Sequence, residues 1–408
     1  MDKVNFFTGQ PVFSQLLNLI PRSIIDRLSR THKSNRYCKR FMAYDHVVSM
    51  LYAGFFQCTS LRELITGLQA SSSRLIHLGL KHPPRRSTLS DANQRRSSDF
   101  FGDLYHELYS LFFSPDSRGT NKEDRLFIID STTISLFTAI MQGAGDKRAN
   151  GKNKGGAKAH MMVDAEHDIP AFISITESKE NDLVFLKDVH VPDGATVVMD
   201  KAYINYKQFN EWTERCVRWV TRPRNGARIE LQQELPVKES SRQIGVLSDQ
   251  LVLLGGPGNE RTPAVHARLI QYLDEEKGRQ YSFITNDLTS DPEVIAGIYK
   301  RRWQIELLFK RIKQRYPLKY FLGDSPNAIK IQIWAALLCD LLVRIIQKQI
   351  NKVKKRPWAY TSISAMIKHH LMNYISLKEF LMNPEKALRN YIHPTPQLTL
   401  FFKPGAYY

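Results

Sequence analysis

Only four cysteines, Cys38, Cys58, Cys216 and Cys339, are spread over 408 residues, with no CxxC pair among them. That scarcity argues against a disulfide framework, and the spacing does not suit a structural zinc site. The thiols are expected to be reduced and mostly buried. Long apolar runs are missing as well. The most apolar stretch, residues 333–346, is interrupted by Asp340 and Arg344 and reads as a core helix, not a membrane span. Neither a lipid anchor nor an amphipathic basic helix is found, and the opening residues 1–10 do not read as a signal peptide. Repeats and low-complexity tracts are also absent, apart from a basic, Gly-rich stretch over 147–158. That stretch is no P-loop, because Ala157 stands where the lysine would have to be. The expectation is a soluble, cytoplasmic protein with no membrane partner.

Acidic residues are in deficit: 40 Asp and Glu against 58 Lys and Arg, a formal charge of +18. Such an excess favours a polyanionic partner, because neutralising phosphates releases condensed counterions. The length allows two or three domains with ample core.

Residues 11 to about 115 read as helices, with apolar residues at helical spacing over 12–28, 44–56, 61–68 and 100–113. Thr88-x-x-Asp91 has capping-box form and opens a helix that carries Arg95 and Arg96. That basic pair suits a helix laid in a DNA groove, or a solvated helix start. From 124 the pattern turns to strands, at 126–129, 160–163, 171–176 and 195–199, then a helix at 206–215 and a strand at 217–221. This is the order of a ribonuclease-H-like α/β domain. A β-rich insertion follows, with strands expected at 243–247, 250–254 and 281–285. The chain then returns to helices near 325–352 and 360–372. The expected domains are a helical DNA-binding region (1–120), a catalytic core in two pieces (121–222 and 287–324) around the insertion (223–286), and a helical C-terminal region (325–408).

Within 291–315, Tyr299, Arg302, Glu306 and Lys313 stand at spacings of three, seven and fourteen residues. At about 100° per residue they fall within roughly 60° of one another on one helix face. Ile298, Ile305, Leu308 and Ile312 form a separate apolar stripe that packs the helix. Asp130 and Asp200 each follow an apolar strand, where ligand groups gather at the carboxyl end. Joined to Glu306, they make three carboxylates from distant segments. Hard oxygen ligands suit Mg²⁺ or Mn²⁺, and two such ions can serve phosphodiester cleavage.

The set Tyr299-x2-Arg302-x3-Glu306-x6-Lys313 resembles the Y-R-E-K motif of insertion-sequence DDE transposases of the IS-four family. Asp200-Lys-Ala-Tyr203, Thr285-Asn286-Asp287 and Arg302-Trp-Gln-Ile-Glu306 match as well. The likeness covers roughly residues 124–350. It implies that Asp130, Asp200 and Glu306 are the metal ligands, and that Tyr299, Arg302 and Lys313 contact phosphates flanking the cleaved bond. It further implies cut-and-paste transfer through a hairpin, terminal inverted repeats and target DNA as duplex partners, and a homodimer on paired ends. In a bacterial cell the protein would then be nucleoid-associated when bound to DNA.

Several residues keep two readings. Lys158 and His160, placed by the resemblance near the first acid, contact DNA, orient a carboxylate, or are structural. Trp303 stacks on a displaced base or packs under its own helix, and Tyr203 supports the second acid or fills the core. Two other functions compete: a nuclease of the same fold without strand transfer, and a transposase-derived DNA-binding regulator.

Overall fold

The computed structural model describes residues 9–113, 125–135, 156–177, 182–256, 262–316, 318 and 320–389. They divide into two compact units, one built from 24–64 and 85–341, the other from the described parts of 1–23, 65–84 and 342–408.

The chain begins with helices α1 (Val12–Leu17), α2 (Arg22–Thr31), α3 (Ala43–Phe56), α4 (Leu61–Ala70), α5 (Arg86–Arg95) and α6 (Asp99–Phe113). The helix expected over 12–28 is two, because Pro21 lacks a donor and biases its predecessor away from helix. One N-terminal domain is expected over 1–120, whereas 24–64 and 85–113 share a unit with the sheet. The physical reason lies in α3, which is buried along almost its whole length and therefore needs neighbours on every side. Gly54 permits one close approach: a Cβ there would lie 2.7 Å from Cys339 Sγ. Tyr105 of α6 donates its hydroxyl to the Pro170 carbonyl at 2.8 Å, tying helix to sheet.

The strands are β1 (Leu126–Ser135), β2 (Gly156–Asp164), β3 (Ile169–Glu177), β4 (Thr196–Met199), β5 (Arg218–Thr221), β6 (Ile229–Glu234), β7 (Val246–Leu254), β8 (Val265–Asp274) and β9 (Arg279–Thr285). They form one sheet in the order β3-β2-β1-β4-β5-β9-β8-β7-β6. Its first five strands, with β2 antiparallel and β4 parallel to β1 and β5 parallel to β4, have the ribonuclease-H-like arrangement. β4 is buried throughout, as a central parallel strand must be. α7 (Asp182–Asp188) and α8 (Tyr206–Glu214) contribute Phe185, Phe209 and Trp212 to the core cluster beside it.

The insertion is not a separate layer. β9 pairs antiparallel with β5 through Val220 and Thr221, so the added strands prolong the central sheet. The two strands expected at 243–247 and 250–254 fall mostly in the single strand β7, which a short helix, α9 (Glu239–Gln243), precedes. Gly245 makes the junction with φ +109, and a Cβ there would collide with the Leu273 carbonyl oxygen. β6 and β8 had no counterpart in the sequence reading. The outer strand β6 is blunted by Glu230, Gln232, Gln233 and Glu234, which suits an unpaired edge.

After the sheet come α10 (Pro292–Arg301), α11 (Gln304–Arg315) and α12 (Pro326–Asn351), then α13 (Tyr360–His370), α14 (Leu377–Met382) and α15 (Pro384–Arg389). In the second unit, Gln15 of α1 donates to the Ile375 carbonyl at 2.7 Å and accepts from Leu377 N at 2.9 Å. Among the described residues no helix is long and apolar enough to cross a membrane.

Candidate active site

The residues expected on one helix face lie on two helices. At the junction the backbone tightens to i→i−3 bonds, Arg302 N to Tyr299 O at 3.0 Å and Glu306 N to Trp303 O at 3.1 Å. Such a 3₁₀ turn advances about 120° per residue and swings Arg302 relative to a continuous α-helix. Asp291 and Pro292 start α10, with proline where its missing N–H costs nothing. Ile305, Leu308 and Ile312 of α11 are buried, and α11 packs against β1. Burying each such side chain contributes roughly 1.5–3 kcal/mol, enough to hold the polar face in place.

Asp130 does not end its strand, which runs on to Ser135. What ends there is the parallel pairing: its last register pair is Ile129 with Met199. Asp130 and Asp200 are therefore the next residues on two adjacent parallel strands. Burial pushes the Asp130 carboxyl up to about 6, and the negative charges of Asp200 and Glu306 push the same way. The Ser131 amide and Arg302 oppose the rise.

Arg302 stands between the acids. Its Nη1 donates to Asp130 Oδ2 at 2.6 Å and its Nη2 to Glu306 Oε1 at 3.2 Å. The guanidinium lies 5.9 Å from the centroid of the Tyr299 ring. Tyr299 itself packs 4.9 Å from Phe283 of β9, so the insertion reaches the site through that ring, and burial raises the Tyr299 phenol. Lys313 sits further along: its Nζ donates to Thr132 Oγ1 at 2.6 Å and to the Thr133 carbonyl at 2.9 Å. Burial lowers its pKa. Trp303 is 57% exposed, so it is not packed under its own helix.

The remaining expected contacts fare differently. His160 is 1% exposed, stacked on Phe185, and bonded to Thr176 Oγ1 at 3.1 Å. Burial lowers it to about 4, so it is a neutral core residue and not a DNA contact. Lys158 is ion-paired with Asp182 at 2.5 Å. Tyr203 is buried, its hydroxyl 3.3 Å from His160 Nδ1. Arg96 is 6% exposed, with its guanidinium committed to backbone carbonyls, which removes it as a direct DNA contact. Arg95 is exposed but paired with Asp91 one helical turn away. The helix there starts at Arg86, so Thr88 and Asp91 lie inside it and cap nothing. Residues 147–155 lie outside the described residues.

One site residue escaped the sequence reading. Asp182 holds Lys158, lies 3.4 Å from His160 Nδ1, and accepts from Ser131 Oγ at 3.4 Å, directly after Asp130. The signal that picks out Asp130 and Asp200, an acid right behind an apolar run, is missing, because six polar residues (176–181) precede it.

Among the described residues no three acidic, histidine or cysteine side chains stand gathered to hold a metal ion. The donor chemistry nevertheless fits a hard divalent cation: oxygen ligands only, and three carboxylates against one interposed guanidinium.

The fold is that of a ribonuclease-H-like catalytic domain, with Asp130 and Asp200 beside each other at the end of the β1–β4 pairing. The chain belongs to the family described as "Transposase DDE domain", which matches residues 121–342. A domain of unknown function (DUF4372) matches residues 8–81. The chain is 32% identical over 274 residues to "Putative transposase y4zB" of Sinorhizobium fredii, covering 66% of this chain and 73% of that one. It is 25% identical over 255 residues to "Probable transposase for insertion sequence element IS5377" of Geobacillus stearothermophilus, covering 61% and 65%. A solved structure, the piggyBac transposase synaptic complex with hairpin DNA, is similar at 12% identity and a TM-score of 0.43, covering 95% of this chain and 81% of that one. Membership makes this a DNA-cleaving and strand-transferring enzyme that uses divalent metal.

Proposed function

We propose that the enzyme excises an insertion sequence by cutting its terminal inverted repeats and joins the freed ends to target DNA, a cut-and-paste transposition. The observation that carries this reading is the convergence on Arg302 of Asp130 and Glu306, with Asp200 one register step beyond the β1–β4 pairing. Similarity to transposases of insertion-sequence elements supports the substrate.

Asp130, Asp200 and Glu306 would hold two Mg²⁺ or Mn²⁺ ions, which supply an activated oxygen nucleophile and charge for the leaving oxygen. The chain's own residues do the rest. Water opens the phosphodiester at the element end, breaking the P–O3′ bond and leaving a 3′-hydroxyl. That hydroxyl then attacks a phosphorus of the opposite strand, giving the hairpin, or of the target, one P–O bond forming as another breaks. Arg302 exchanges Asp130 for a phosphate, and its buried Nε, without a hydrogen-bond partner among the described residues, supplies a further donor. Lys313 and Tyr299 hold the neighbouring phosphates. The exposed Trp303 ring stacks on a base displaced at the hairpin. A homodimer lets two ends be processed together.

The test is a strand-transfer assay with terminal-repeat DNA, a target plasmid and Mg²⁺. Wild-type protein should cleave and join. Glu306→Gln should bind the ends and cut nothing. Cleavage without joining would make the enzyme a nuclease and defeat this reading.

A further inference from the structure

A second cationic surface lies on the helical side of the same unit, and none of the chemistry above uses it. Loop 32–41 and α5 enclose an open groove of about 740 Å³. Its lining carries six cationic side chains, Lys33, Arg36, Lys39, Arg40, Arg95 and Arg96, against one carboxylate, Asp91. Asp91 is already paired with Arg95. Lys33, Arg36, Lys39 and Arg40 are all exposed, and none forms an ion pair with the described residues.

A merely solvated face would not require the anchoring found here. Arg96 is 6% exposed and sits behind the loop. Its Nε donates to the Ser34 carbonyl at 2.9 Å, its Nη1 to Met42 O at 3.1 Å, and its Nη2 to Phe41 O and to Cys38 Sγ at 3.3 Å. The loop also holds two non-glycine residues in the left-handed region, Lys33 at φ 50 and Tyr37 at φ 59. Left-handed backbone is strained for a residue with a Cβ, and the surrounding contacts must offset that strain. The conformation so maintained displays Tyr37, 83% exposed, with the Arg36 guanidinium 4.8 Å from its ring centroid and bonded to its hydroxyl at 2.9 Å.

We propose that this groove is a second DNA site, gripping the phosphate backbone of a duplex through Lys33, Arg36, Lys39 and Arg40, with Tyr37 laid against the sugar edge. Arg96 is its positioning residue: it touches no DNA and holds the loop in the gripping shape. The cations come from the loop and not from the α5 pair, since Arg95 is neutralised and Arg96 is buried. The proposal rests on the function above only in taking DNA as the polyanion.

The experiment is an equilibrium titration of the full chain with a fluorescent duplex, without divalent metal, across a range of KCl concentrations. Replacing Lys39 and Arg40 together by alanine should reduce the slope of log K against log salt by about 1.8, at roughly 0.9 per lost phosphate contact. Arg96→Ala should weaken binding and flatten the slope in the same direction, although the residue is buried; Arg96→Lys, too short a fork to reach three carbonyls, should not rescue it. An unchanged slope in the Lys39/Arg40 variant overturns the site. So does an equal loss from replacing the exposed Lys187 and Lys207, which would mean that charge anywhere suffices.

A second measurement needs no substitution. Duplex should slow alkylation of Cys38, at the groove, by a neutral maleimide, and leave the exposed Cys216 unaffected. Equal Cys38 rates with and without DNA would exclude the groove. Both readouts are of binding alone, so a failure of strand transfer leaves them interpretable, and their failure leaves the catalytic reading standing.

Discussion

Arg302 Nη1 donates to Asp130 Oδ2 at 2.6 Å, a bond between residues 172 positions apart in the chain. It joins the turn between α10 and α11 to the first strand of the sheet. It also puts a fixed cation where a carboxylate centre would otherwise repel itself, with Glu306 on the other arm of the same fork.

Arg302 therefore competes with any cation that approaches Asp130. Arg302→Ala should tighten Mn²⁺ binding on the order of tenfold, a modest share of the roughly 4 kcal/mol between close charges at an effective dielectric constant of 20. Strand cleavage should fall in the same variant, because the phosphate loses its fork. Isothermal titration with Mn²⁺ reads the first effect and end cleavage the second. Weaker Mn²⁺ binding in the alanine variant would show that the arginine supports the cation position instead of filling it.

Two buried groups contribute to the loss of stability in acid, in successive pH windows. His46 is fully buried against Asn93 and held down to about 3, chiefly by burial, then by the charge of Arg96. The unfolded chain takes up its proton near 6.5 and the folded one refuses it, so stability declines as pH falls from about 6.5 towards 3. Asp164 acts in the same direction, in a lower window. Burial works against its ionisation, but His167 and Arg125 outweigh it and hold the carboxyl near 2. Its contribution, on the order of 2 kcal/mol, is complete above about pH 4 and is lost as pH falls towards 2. Urea unfolding midpoints at pH 7, 5 and 3 should drop in two stages. His46→Phe should flatten the first, and Asp164→Asn should lower the pH 7 value while flattening the second.

Spacing makes the candidate residues legible, and packing hides much of the rest. Asp130 and Asp200 were visible because an acid directly behind an apolar run is a local signal, and Tyr299, Arg302, Glu306 and Lys313 because a helical period brings them to one side. The break at Arg302 was not visible: 3₁₀ and α turns accept the same residues, and only the hydrogen bonds distinguish them. Arg96 and His160 read as surface residues by type. Arg96 is buried because the carbonyls of Ser34, Phe41 and Met42 converge on it from a loop 54 to 62 positions away. β6 and β8 escaped for another reason. Most of β6 points to solvent, and β8 carries polar residues that only sheet neighbours explain, above all Arg268.

That arginine supports the last prediction. On β8, Arg268 is 5% exposed and forks onto Asp249 of β7, Nε to Oδ1 at 2.7 Å and Nη2 to Oδ2 at 2.5 Å. Its third nitrogen, Nη1, donates to the Ser290 carbonyl at 2.6 Å and the Asp287 carbonyl at 3.3 Å, in the loop that leads into α10. Asp287 organises that loop in turn, accepting from the amides of Thr289 and Ser290. One side chain thus links the insertion to the start of the helix that presents Tyr299. Arg268→Ala leaves Asp249 as an uncompensated buried charge and should cost about 3–5 kcal/mol, read as a lower thermal midpoint. Replacing the pair together, Arg268→Met with Asp249→Leu, should restore most of that stability, because similar volume is filled without charge. It cannot restore the bonds to residues 287 and 290. The double variant should therefore melt near the wild-type temperature and still cleave DNA poorly. Full recovery of cleavage alongside stability would show that the arginine only neutralises its partner and does not set the approach to α10.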